Sequence, residues 1–108
     1  LILSRETNSV VHARGKKLGI PVLSGVSDKR SALARWLQER KLTFEQVAYV
    51  GNGINDLECL SVVGWAIAPN DAHANVRSDV HYVTSKGGGW GAVREVVDLI
   101  LVSYQNQP

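Results

Sequence analysis

The sequence predicts an α/β fold built on a mainly parallel sheet, and three observations predict it. Five short apolar runs, at 1–3, 21–23, 47–50, 65–68 and 81–83, are spaced along the chain. Between them lie segments whose apolar residues repeat at helical spacing, the alternation that parallel strands joined by crossover helices require. Gly19, Gly64 and Pro69 stand where a helix or strand should stop.

In order, Leu1-Ile2-Leu3 reads as a buried strand ending at Ser4. A chain rarely starts inside its own core, so this one reads as a truncated protein. Residues 9–18 form a helix closed by Gly19, and 21–23 form the second strand. The helix over 29–40 sets Leu33, Trp36 and Leu37 on one face, which makes Trp36 a core residue. Strand 47–50 runs into a glycine turn, and the helix over 56–63, with Cys59 in its core, stops at Gly64. Strand 65–68, a helix over 71–77 and strand 81–83 follow. After a flexible glycine-rich loop the helix over 92–101 turns Val93, Val96, Val97 and Ile100 inward. Residues 1–103 make one domain, and 104–108 form a polar tail that frays.

Composition narrows the function. The chain has 108 residues, 44% hydrophobic and 20% charged, enough for one modest core. Its net charge of +2 is spread over short basic pairs such as Lys16-Lys17 and Arg40-Lys41. No basic patch argues for nucleic acid or a membrane surface. One cysteine excludes an internal disulfide or a cysteine-rich zinc site. No apolar run approaches the roughly 18 residues of a membrane span, so the expectation is a soluble, cytoplasmic protein.

In an open parallel sheet, ligands gather at the carboxyl ends of the strands. There the sequence sets Ser4, then Asn52 and Asp56, then Pro69-Asn70-Asp71, then 86–91, with Lys29 opening the second helix. A hydroxyl, a lysine and oxygen ligands suit a phosphate ester beside Mg²⁺. Taken singly, Ser4 reads as a cap and Lys29 as a solvated side chain; only their convergence favours a site. Gly51-x-Gly53 also has the start of a dinucleotide fingerprint, but Asp56 stands where a small residue is needed. The run at 87–91 lacks the Lys-Ser/Thr ending of a P-loop.

Several motifs in this order carry a family resemblance: Leu3-Ser4, Gly25-Val26-Ser27-Asp28-Lys29, Val47-Ala48-Tyr49-Val50-Gly51-Asn52 with Asp56, Ala68-Pro69-Asn70-Asp71-Ala72, and Gly88-Gly89-Trp90-Gly91-Ala92-Val93-Arg94-Glu95. Together they resemble the haloacid dehalogenase superfamily, in its capless 3-deoxy-manno-octulosonate 8-phosphate phosphatase group. The same module occurs behind the catalytic domain of acylneuraminate cytidylyltransferase, the enzyme that activates sialic acid. Leu3-Ser4-Arg5-Glu6-Thr7-Asn8 and Gly51-Asn52 look more like that fused version. The resemblance implies a Rossmann-like three-layer sandwich.

By the same resemblance Ser4 and Lys29 bind and neutralise the phosphoryl group, and Asn52 and Asp56 occupy the two acid positions of the Mg²⁺ motif. An amide in place of the first acid removes a charge, so Mg²⁺ binding should be weak. Trp90 replaces a common arginine. Arg94 is a candidate for an anion or inter-subunit carboxylate contact, with an intrachain pair to Glu95 or Asp98 as the alternative. The family's assembly implies a homo-oligomer, a tetramer, and its ligands imply a sugar phosphate.

The family's nucleophile is an Asp-x-Asp, and none of the aspartates here belongs to such a pair. Without it no aspartyl-phosphate forms, so this chain alone is expected to be inactive. Two functions stay open. The favoured one is a non-catalytic module of an acylneuraminate cytidylyltransferase; the other is part of an active Mg²⁺-dependent sugar-phosphate phosphatase. In the family the Asp-x-Asp strand lies between the strands of 1–3 and 47–50, so those two should not pair directly.

Overall fold

The computed structural model describes residues 1–5, 9–88 and 91–105. Trp90, residues 6–8 of the Leu-Ser-Arg-Glu-Thr-Asn run and the last three residues of the tail lie outside them. The chain forms two compact units, Leu1–Thr43 and Phe44–Pro108.

The first unit is a β–α–β–α run: β1 (Ile2–Leu3), α1 (Ser9–Leu18), β2 (Val22–Leu23) and α2 (Lys29–Glu39). β1 and β2 are parallel, with Ile2 opposite Val22 and Leu3 opposite Leu23. Helix α1 closes as its glycine predicts: Gly19 adopts φ 69°, and the Ile20 N–H turns back to the Gly15 carbonyl at 2.8 Å. Gly15 is itself buried, and a Cβ on it would collide with Val22.

Asp28 caps α2, accepting the Ser31 N–H at 3.1 Å and its hydroxyl at 2.7 Å. Those two bonds hold its carboxyl below the ordinary carboxylate range. Leu33 and Leu37 are the buried face of this helix. Trp36 departs from its expected core position: it is half-buried, with the Arg40 guanidinium stacked 3.9 Å over its ring. An indole at the margin of the buried stripe keeps one face for a cation.

The second unit holds β3 (Ala48–Val50), α3 (Leu57–Leu60), β4 (Trp65–Ala68), α4 (Ala74–Arg77), β5 (Tyr82–Val83) and α5 (Ala92–Gln105). The three strands are parallel in the order β3-β4-β5, with Val50 opposite Ile67 and Ala68 opposite Val83. β4 is central, and Ala66, Ile67 and Ala68 are almost wholly buried, together with Cys59, Leu60 and Val76. Gly64 closes the turn before β4 because a Cβ there would strike the Glu45 backbone. Among the described residues β1 is laddered to β2, and β3 to β4.

Helix α5 corrects one expectation. Ala92 and Val96 are buried, whereas Val93, Val97 and Ile100 are exposed. The helix is rotated by about one residue, roughly 100°, from the expected stripe. Glu95 fixes that rotation: it binds the 82–86 segment and turns 92, 95 and 96 inward together. Among the described residues no helix is long and apolar enough to cross a membrane.

Candidate functional site

In the first unit, Ser4 ends β1. Its N–H donates to the Leu23 carbonyl at 3.0 Å and its own carbonyl accepts the Val26 N–H at 2.9 Å. The 24–28 loop therefore folds back across the end of β1, using a positive φ of 64° at Gly25, a conformation glycine reaches at little cost. That loop delivers Lys29, half-buried, as the first residue of α2. Ser4 and the approach to Lys29 thus share the carboxyl end of the β1–β2 sheet, where the sequence placed them.

In the second unit, the carboxyl ends of the parallel strands gather three loops. After β3 the chain enters a 3₁₀ turn at Ile54–Asp56. Asp56 is only 3% exposed, and both of its oxygens are used. Oδ1 accepts the Tyr49 hydroxyl at 2.7 Å, and Oδ2 accepts the N–H groups of Asn52 at 3.1 Å and Gly53 at 3.3 Å. Burial, and then the Asp56 carboxylate beside it, push the Tyr49 phenol well above its ordinary range. Asn52 is exposed, and its carbonyl accepts the His73 N–H just before α4 at 3.1 Å.

The other two loops are tied together. Asn70 Nδ2 donates to the Ser85 carbonyl at 2.6 Å, and the Gly88 N–H donates to Asp71 Oδ1 at 2.9 Å. The Thr84 hydroxyl donates to the Lys86 carbonyl. Glu95 reaches from α5 to accept the Ser85 N–H and hydroxyl, the Lys86 N–H and the Tyr82 hydroxyl. The Ser85 donors lead in holding its carboxyl down to about 2. Arg94 makes the intrachain contact, 3.1 Å from Asp98, with both side chains largely in solvent.

Sequence reasoning placed Ser4, Lys29, Asn52 and Asp56 at strand and helix ends but did not single out Tyr49 or Glu95. For Tyr49 a signal was present: a hydroxyl two residues before Gly51, on the strand that feeds the Asp56 turn. Glu95 gave none, because its partners lie 9 to 13 residues away.

Mg²⁺ prefers oxygen ligands in a rigid octahedron, usually with at least one carboxylate. The β3 loop matches in kind, offering the Asn52 amide oxygen and the Asp56 carboxylate. It does not match in number, since Asp56 already accepts three donors. Among the described residues no group of three or more His, Cys, Asp or Glu could hold a metal ion.

Comparison with known proteins follows the same lines. Residues 3–95 match the model of the haloacid dehalogenase-like hydrolase family. The chain is 40% identical over 103 residues to the 3-deoxy-D-manno-octulosonate 8-phosphate phosphatase of Yersinia pestis, covering 94% of this chain and 55% of that protein. The crystal structure of the Yersinia phosphatase superposes with a TM-score of 0.91 at 39% identity, over 94% of this chain and 55% of the other. The Moraxella catarrhalis phosphatase, solved with a magnesium ion, a phosphate ion and a KDO molecule, gives 0.86 at 33% identity, over 94% and 60%. N-acylneuraminate cytidylyltransferase A of Danio rerio is 34% identical over 87 residues, 81% of this chain and 20% of that protein. The chain spans about half the length of the phosphatases it matches, 55% and 60% of the two. With a parallel α/β architecture, a Ser4 and Lys29 end, an Asn52–Asp56 loop and a family match over residues 3–95, the chain belongs to the haloacid dehalogenase-like hydrolases.

Proposed function

We propose that this chain is part of a sugar-phosphate phosphatase of the 3-deoxy-manno-octulosonate 8-phosphate type. The observation that carries the proposal is 40% identity to such a phosphatase across 94% of the chain. It shifts the balance from the cytidylyltransferase module favoured by the sequence, whose relative is 34% identical over 81%.

Ser4 would bind the phosphoryl group through its hydroxyl and Lys29 would offset its charge. A cation would be held by the Asn52 amide oxygen, with Asp56 fixing the loop behind it. When bound there, Mg²⁺ would supply positive charge that polarises an oxygen ligand. The attacking aspartate would come from outside these 108 residues, since no Asp-x-Asp occurs within them. A cytoplasmic homo-oligomer, a tetramer, is proposed with this function.

The test is phosphate binding by the chain itself. Inorganic phosphate with Mg²⁺ should shift the NMR signals of Ser4 and of the amides around Lys29, and Lys29→Ala should weaken binding about tenfold or more, the scale of a lost charge-assisted contact. Equal binding by Lys29→Ala would refute the assignment.

A second reading, a phosphatase-like module of a cytidylyltransferase, is favoured by Asn52 in place of an acid and by the 3–8 run. The intact mass of the protein purified from its cell separates the two, because the cytidylyltransferase relative has only 20% of its length in this module.

A further inference from the structure

Tyr49, Gly51 and Asp56 interlock at the end of β3. The Gly51 N–H continues the ladder to the Ile67 carbonyl at 3.0 Å, so positions 49 and 51 face the same side of extended backbone. A Cβ at Gly51 would lie 2.6 Å from the Asp56 Cβ and 3.0 Å from Tyr49 Cε1. The missing side chain leaves the room in which Asp56 folds back to the Tyr49 hydroxyl, 2.7 Å away. Its second oxygen is then aimed at the Asn52 and Gly53 amides.

We infer that Tyr49 is a positioning residue: by anchoring one oxygen of Asp56 it sets the Asn52–Gly53 turn and thereby where Asn52 presents its side chain. The ring packs in the cluster in any case; the hydroxyl is the part that orients. The consequence for a cation rests on the function proposed above, whereas the anchoring does not.

Tyr49→Phe keeps the ring and removes only the hydroxyl. In amide hydrogen exchange followed by NMR, Asn52 and Gly53 should exchange about tenfold faster or more, with shifted signals, as expected for a buried hydrogen bond to a charged group. Ile67 and Ala68 in β4 should keep their rates. Unchanged Asn52 and Gly53 signals would overturn the inference, as would an equal acceleration of every protected amide, the mark of a merely structural role. The Mg²⁺ dissociation constant, read from the Asn52 side-chain amide signals, should rise about tenfold in the variant, in the range for a partner that orients a ligand. No Mg²⁺ response in either protein would count against the cation-binding function and leave the exchange result to decide the anchoring. If the variant does not fold, the unsubstituted chain decides: a slowly exchanging Tyr49 hydroxyl proton supports the anchor, and its absence at low temperature overturns it.

Discussion

The Tyr82 hydroxyl on β5 donates to the Glu95 carboxylate on α5 at 2.8 Å, across 13 residues of sequence. With Ser85 and Lys86 on the same carboxylate, Glu95 latches the loop after β5 to the helix that follows. One side chain satisfies two loop N–H groups that would otherwise need water.

Acid should open that latch late. The Glu95 carboxyl lies at about 2 against an ordinary 4.5, chiefly through Ser85. A lowered folded-state value means that the carboxylate's contribution is fully present above about 4.5 and is lost as pH falls through about 2. The Glu95 side-chain carbon signal should titrate with a midpoint near 2, and the Ser85 and Lys86 amides should move with it. A midpoint near 4.5 would contradict the latch.

The centre of the second unit should be intolerant of truncation. Ile67 is 0% exposed in the middle strand, so Ile67→Ala should cost about 3–4 kcal/mol by lost burial and an unfilled cavity. Urea unfolding checks it. Gly64→Ala should cost roughly 2–3 kcal/mol for another reason, the intrusion of a methyl on the Glu45 backbone.

On the proposed function, Asn52→Asp should tighten Mg²⁺ binding about tenfold or more, because it adds a carboxylate, on which Mg²⁺ affinity depends. Calorimetric titration of both proteins decides the matter, and equal affinities would show that Asn52 does not face the cation.

This chain alone should release no phosphate from an aryl phosphate with Mg²⁺ above background. None of its five aspartates, at 28, 56, 71, 79 and 98, forms an Asp-x-Asp, the pair whose carboxylate would form an aspartyl-phosphate. A colorimetric phosphate assay tests it; turnover abolished by Ser4→Ala would contradict it.

By itself the sequence determined the alternation of strands and helices, since periodicity and glycine stops are local. It also placed Ser4, Lys29, Asn52 and Asp56 at element ends, because strand termini and helix starts are read from the same pattern. Tertiary structure alone decided what those residues do there. Asp56 carries no mark in the sequence that it is 3% exposed and bonded to Tyr49. The inward face of α5 also eluded the pattern. Val93, Val96, Val97 and Ile100 form a plausible stripe, yet the helix turns in Ala92, Glu95 and Val96 so that Glu95 can meet Ser85. Hydrophobic spacing selects a helix and leaves its rotation loosely set; a carboxylate accepting four donors from β5 and the loop after it fixes that rotation, and such bonds exist only once the strands have brought the loop beside the helix.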